Sequence, residues 1–219
     1  MIYLQEVLNI TPATPETLES FVEVAQNLLM SVCARLGVRI VVAWFSTYEW
    51  FTQVTHLLEF KNLDVLKVFR IKTSQNREWG EYAAQFEVFA SERRSRLLEP
   101  IGAIPPETFH KAIEESQKNP LKVYSMGILE VAPNKMADFI EGAKMSSKTF
   151  PIIASWRPIA GNPNEVIDIW KDVISSQVIG PQHYQPAVVS MKEWFSMLRE
   201  IAPKEHLVQI YPLPYSELK

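Results

Sequence analysis

Two ionisable side chains stand in the middle of apolar, strand-like runs, where proton-transfer chemistry can be set up. His56 lies in Gln53-Val54-Thr55-His56-Leu57-Leu58, and Asp168 lies in Glu165-Val166-Ile167-Asp168-Ile169-Trp170. A histidine in phase with Val54, Leu58 and Phe60 points into an apolar interior. Beside a tyrosine it can act as a general base toward an acidic C–H or a phenol. Tyr3 and Gln5 on the first strand are its expected neighbours if they share its face. The alternative is a buried imidazole satisfied by a tyrosine hydroxyl or a backbone carbonyl. Asp168, between Val166 and Trp170, is costly to bury unpaired. It therefore carries a raised pKa or a partner, and Arg157 on the preceding strand is the nearest cationic candidate. The expectation is an acid/base role or a structural Asp–Arg pair. Trp44, Trp156, Trp170, Tyr3 and Tyr124 are either core or the walls of a pocket for a flat substrate. His183 and Tyr184, in Gly180-Pro181-Gln182-His183-Tyr184-Gln185-Pro186, read as a pocket lid or an ordinary helix break.

These residues belong to an internal repeat. From Trp44 to Trp156 is 112 residues, and the same offset pairs the His56 run with the Asp168 run, Tyr82 with Trp194, Phe86 with Leu198 and Pro100 with Pro212. Upstream, Tyr3–Pro12 matches Tyr124–Pro133 at an offset of 121, so the first copy is nine residues longer before and inside its first helix. Self-similarity at a fixed period means that one supersecondary unit has been duplicated. The copies agree in their strands but disagree where polar groups point inward: His56 against Asp168, Phe45 against Arg157.

The elements that position these side chains follow from periodicity. Residues 2–10 alternate as a strand. Thr14 then caps a helix with Pro15 in its first turn, and Leu18, Phe21, Val22, Ala25, Leu28 and Leu29 form its apolar stripe. Gly37 ends that helix at about Leu36. Strands over 38–47 and 52–60 read as a hairpin. Helical pieces then run to about Arg94, with Glu92-Arg93-Arg94-Ser95-Arg96 as a solvated helix end, and a short strand follows at 97–101. The second copy repeats this with strands at about 123–131, 152–158, 165–171 and 207–211, a helix at about 135–147 and a broken helical region at about 173–201. The expected organisation is a first unit at 1–101, a linker at 102–120 and a second unit at 121–219. The order β-α-β-β-α-β is the ferredoxin-like arrangement. The fold class is α+β: tandem ferredoxin-like units whose antiparallel sheets pack or join into an α/β barrel.

Gln53-Val54-Thr55-His56-Leu57-Leu58-Glu59-Phe60-Lys61-Asn62-Leu63, with the later Glu92–Pro100 run, resembles the NIPSNAP-like members of the dimeric α/β-barrel superfamily. Tyr3 and the approach from Gly37 to Trp44 are also similar. Leu58 stands where that family's motif has Trp, which Trp170 supplies in the second copy; Asp168 stands where it has His. The resemblance implies a barrel fold in a superfamily of cofactor-independent monooxygenases, lyases, isomerases, heme-binding enzymes and proteins without known activity. Fold alone does not choose among them.

Composition narrows the partners. A net charge of −3 and pI near 5.9 argue against nucleic acid or an anionic membrane. The longest apolar runs are strand-sized, and Met1-Ile2-Tyr3-Leu4 shows no leader pattern, so a cytoplasmic location is expected. Cys33, the single cysteine, reads as a buried small hydrophobe. Glycine-rich phosphate loops, clustered metal ligands and a nucleophile elbow do not occur in the sequence. The expected cofactor and metal are therefore none, with heme ligation by a single histidine left open. The expected activity is cofactor-independent acid/base chemistry (cyclase, isomerase, lyase or monooxygenase) on a small apolar or aromatic molecule. Its expected assembly is a monomer with an internal pseudo-dimer, or a homodimer. The alternative is a binding or interaction protein without catalysis.

Overall fold

A computed structural model describes residues 1–48, 50–147, 151–171, 196 and 198–219. The alternating residues of the N-terminus form β1 (Ile2–Ile10). Thr14 accepts a hydrogen bond from the Thr17 amide and starts α1 (Pro15–Val24). A π-helical turn over Ala25–Leu29 links it to α2 (Met30–Leu36). Gly37 stops the run at φ 67°, and the Val38 amide reaches back to the Cys33 carbonyl at 2.9 Å. β2 (Arg39–Thr47) and β3 (Thr52–Phe60) make the expected hairpin. Asn62 and Asn76 cap α3 (Leu63–Ser74) and α4 (Arg77–Glu87), each accepting from the amide three residues on. β4 spans Ala90–Pro100 and α5 spans Pro106–Lys118. The second copy supplies β5 (Tyr124–Glu130), α6 (Met136–Ser146), β6 (Ile152–Pro158), β7 (Glu165–Lys171) and β8 (Lys204–Pro212).

One element departs from expectation. The Glu92–Arg96 run is not a helix end but the first half of β4, paired antiparallel with β1 from Ile10↔Ala90 to Tyr3↔Leu98. Pairing with β1 overrides the local helical pattern. Alternation then sends Arg93 and Ser95 to one face and Arg94 and Arg96 to the other.

The hydrogen-bonded strand order is β1-β3-β2-β8-β5-β7-β6-β4, closing as a barrel. Within each copy the order is fourth-first-third-second, the ferredoxin-like sheet. Both hairpins also carry the same irregularity. Register slips by one between Ile40 and Val42 on β2, and between Ile152 and Ala154 on β6, 112 residues later.

The chain divides into two compact units. The first comprises Met1–Leu98, Ile113–Lys122 and Ile210–Lys219; the second comprises Glu99–Ala112 and Val123–Gln209. In the first, Leu4, Leu8, Val54 and Leu58 pack against Phe21, Ala25 and Leu29 of the helical layer. In the second, Leu129, Ile152 and Val166 pack against Phe139 and Ala143 of α6. No helix among the described residues is long and apolar enough to cross a membrane.

Candidate functional site

In the first unit, three residues lie side by side across the sheet: Glu6 on β1, His56 on β3 and Ala43 on β2. Paired residues of neighbouring strands share a face. His56 therefore faces the helical layer, where Phe21 stacks on its ring at 6.1 Å. Its Nε2 shares a 2.6 Å hydrogen bond with the Tyr215 hydroxyl. Tyr215 comes from the C-terminal tail, which is tied to β2: the Leu213 and Leu218 amides bond the Ala43 and Val41 carbonyls, and the Ala43 amide bonds Ser216 Oγ. Glu6 is ion-paired with Arg93. Burial, and then the Arg93 charge, hold the His56 imidazole down to about 3, so it is neutral across the physiological range. Among the described residues, His56 Nδ1 has no hydrogen-bond partner.

Tyr3 and Gln5 are not beside His56. They pair with Glu59 and Leu57, one residue out of phase, and occupy the other face of the sheet. There Gln5 accepts a 2.5 Å hydrogen bond from Arg96 Nε, and the Tyr3 hydroxyl donates to Met1 Sδ at 3.3 Å. Trp44, paired with Thr55, shares that opposite face, and its Nε1 has no partner among the described residues. Cys33 is buried as expected, and desolvation, then Glu6, push its thiol up to about 12, which disfavours a thiolate.

The second unit repeats the row with different residues: Gly127 on β5, Asp168 on β7 and Ser155 on β6. The Asp168 side chain is wholly buried. Its Oδ1 accepts a hydrogen bond from the Ser155 hydroxyl, and its Oδ2 has no partner among the described residues. Desolvation pushes the carboxyl up to about 7; the Ser155 hydrogen bond opposes this, and the Glu205 charge adds to it. Glu205 on β8 is itself raised by burial of its carboxyl.

Arg157 does not pair with Asp168. Its guanidinium is held by Glu99 at 2.8 Å. The β6–β7 register sets Ser155, not Arg157, opposite Asp168. Trp156 packs edge-on against Phe109 at 5.2 Å, and Tyr124 is fully buried. Trp170 packs at the margin of the second core. His183 and Tyr184 lie outside the described residues. Among the described residues, no three His, Cys, Asp or Glu side chains converge as a metal site requires. A surface groove of about 300 Å³ lined by Lys135, Asp138, Glu141 and Met145 contains none of the candidate residues.

Sequence reasoning missed the neighbours that define both centres. The repeat could have found most of them. An offset of 112 pairs Ala43 with Ser155 and Arg93 with Glu205, and an offset of 121 pairs Glu6 with Gly127. Nothing in the first copy's own strands announces Tyr215.

The solved structures settle the architecture. A candidate monooxygenase from Lactobacillus acidophilus NCFM aligns over 96% of this chain and 93% of its own, at 14% identity and a TM-score of 0.60. Another from Fusobacterium nucleatum aligns over 97% and 92%, at 12% identity and a TM-score of 0.61. The fold is that of the dimeric α/β barrels. A NIPSNAP domain protein from Burkholderia xenovorans also matches this barrel chain, over 46% of it and 94% of its own length, at 13% identity and a TM-score of 0.40. No protein-family model matches the sequence, and no curated protein matches it. At such identities, likeness within the α/β-barrel fold carries no chemistry from one chain to another.

Proposed function

We propose that this α/β-barrel protein binds a small apolar or aromatic molecule in its second unit and acts on it by proton transfer at Asp168. One observation carries this reading: a buried carboxyl, poised near pH 7, has one oxygen satisfied by Ser155 and the other without a partner among the described residues. A group whose pKa lies near the working pH gives and takes protons with the least loss at either step. The Ser155 hydroxyl favours the ionised form by donating to Oδ1, and the apolar surroundings favour the protonated form. The balance keeps both forms accessible. Isomerisation, cyclisation and lyase reactions of an activated C–H or O–H all need such a group, and none of these proton transfers requires a metal or cofactor. His56 has a different part in this reading. Neutral, stacked under Phe21 and bound to Tyr215, it completes the core of the first unit.

The test begins with a thermal-shift screen of small aromatic and polyketide-like compounds against the full chain. Stabilising compounds are then incubated with wild type and with Asp168→Asn, and products are followed by mass spectrometry. Loss of at least about 10²-fold in turnover with retained folding is expected for a general acid/base. Equal rates in the two proteins overturn the assignment.

A further inference from the structure

We propose that Gly127 is the specificity-determining residue of the second unit, leaving room beside Asp168 for a ring-bound hydroxyl of the ligand. The first unit closes the equivalent place with its own side chains. This rests on the reading of Asp168 given above.

Gly127 stands in the middle of β5, buried, directly opposite Asp168. Glycine weakens a strand, and a β-branched residue there is favoured by up to about 1 kcal/mol. Two ordinary reasons for a strand glycine do not apply. Its φ is not positive: among the described residues the positive-φ glycines are Gly37, Gly102 and Gly161. Nor does a neighbouring backbone press on it. A Cβ built at Gly127 meets Leu129 Cδ1 at 3.5 Å, Glu205 Oε1 at 3.6 Å and Trp170 Nε1 at 3.8 Å, all ordinary contacts with side chains. The β5–β7 register also runs through Gly127 without a shift, so no bulge against β7 accounts for it, and the close approach of a ligand is among the reasons that are left. What surrounds it suits one: Asp168 with its unpartnered buried Oδ2, the Ser155 hydroxyl, the Glu205 carboxyl and the Trp170 indole.

The repeat shows what chemistry the place receives. The first unit's row is Glu6–His56–Ala43, where the second has Gly127–Asp168–Ser155. Glu6 fills the glycine's position and is neutralised by Arg93. The imidazole of that row is met by a phenol hydroxyl, that of Tyr215. The tail that delivers Tyr215 has a counterpart after β4. The Leu213 amide bonds the Ala43 carbonyl, and 112 residues earlier the Ile101 amide bonds the Ser155 carbonyl. The paths then part. Gly102 takes φ 77°, a conformation closed to Pro214 at the matching position, and Ala103 stands where the tail has Tyr215. The first unit thus supplies its own phenol, whereas the matching segment of the second does not. A neutral hydroxyl, rather than an ammonium, also suits a carboxyl buried deeply enough to resist ionisation.

Binding of 2-naphthol, naphthalene and 2-naphthylmethylamine to the full chain, followed by fluorescence titration, tests this. Wild type is expected to bind 2-naphthol at least about 10-fold more tightly than either of the others, the value of one well-made hydrogen bond. Gly127→Val is expected to lose at least about 10-fold for 2-naphthol, with its urea midpoint and far-UV spectrum retained. Gly127→Ala, whose added methyl fits without displacement, keeps the test open should the valine variant not fold, and loses about 3-fold or more. Tyr215→Phe, in the first unit, leaves 2-naphthol binding unchanged. Wild-type affinity in both Gly127 variants, no binding of 2-naphthol by wild type, tighter binding of the amine or the hydrocarbon, or weakening by Tyr215→Phe each overturns the inference. Failure here is distinguishable from failure of the proton-transfer reading. If Asp168→Asn abolishes turnover while Gly127→Val binds normally, only the glycine's role is lost. If Gly127→Val blocks binding while Asp168→Asn turns over normally, only the acid/base role is lost.

Discussion

Replacing Asp168 by Asn removes an ionisation without changing shape, and the structure fixes how that should read out in stability. The carboxyl titrates near 3.8 in an open chain and near 7 in the folded one. A group whose pKa is raised by folding favours the folded state below its unfolded value. That contribution is lost as pH climbs through the folded value. At about 1.4 kcal/mol per pH unit, the full loss by pH 8 is about 4 kcal/mol. His56 works in the opposite direction. Its pKa falls from 6.5 to about 3, so its contribution is present above 6.5 and is lost as pH drops toward 3. The same arithmetic gives a full swing of about 5 kcal/mol. Between pH 4 and 6.5 the two contributions nearly cancel, and each variant alone exposes the slope of the other group. Urea denaturation at half-unit steps from pH 4 to 8 measures this. Asp168→Asn should match wild type within about 1 kcal/mol at pH 4, and should exceed it by about 4 kcal/mol at pH 8. Differencing the two curves removes the titration of every shared group. A difference that stays constant over that range would falsify the claim that Asp168 is buried and proton-poised.

Other consequences follow from the same contacts. His56→Gln should lose the acid-side dependence, so that its stability falls less than that of wild type between pH 6.5 and 4, by up to about 3 kcal/mol in the same denaturation series. Ser155→Ala removes the hydroxyl that favours the Asp168 carboxylate, so the pH at which the stability difference from the matching Asp168→Asn chain levels off should move upward in the Ser155→Ala background, while its onset, set by the unfolded chain, stays in place. Tyr215→Phe should cost about 1–2 kcal/mol by stranding a ring nitrogen of His56, and Tyr215→Ala about 3–5 kcal/mol by emptying a core position. Urea midpoints with unchanged slopes check both.

Much of the framework was legible because it is periodic. Alternation over 2–10, 38–47 and 52–60 defined strands, Thr14-Pro15 and Gly37 bounded the first helical run, and the 112-residue offset announced the duplication. The bulges after Ile40 and Ile152 show that the offset extends to backbone irregularities. The misreadings came where local pattern and distant pairing disagree. Glu92–Arg96 has the composition of an exposed helix end, yet β1 recruits it as a strand. Strand assignment there depends on a partner some eighty residues away, and no local propensity encodes it.

For the candidate centres the division is sharper. Phase alone required His56 and Asp168 to point inward with Val54, Leu58 and Val166, because side chains on a strand repeat every two residues. Phase within a strand does not say which residue of the neighbouring strand stands opposite. A slip of one exchanges one face for the other. Register therefore decided that His56 meets Glu6 and not Tyr3 or Gln5, and that Asp168 meets Ser155 while Arg157 goes to Glu99. Tyr215 was beyond any such reading, since a tail 159 residues downstream reaches His56 only once β2 has offered its edge. The sequence by itself determined that each copy turns an ionisable group of its third strand inward; tertiary structure decided that the first meets its own tyrosine through one ring nitrogen, and that the second meets a serine through one oxygen and keeps the other unpartnered among the described residues, because partners come from strand register and chain path rather than from neighbours in sequence.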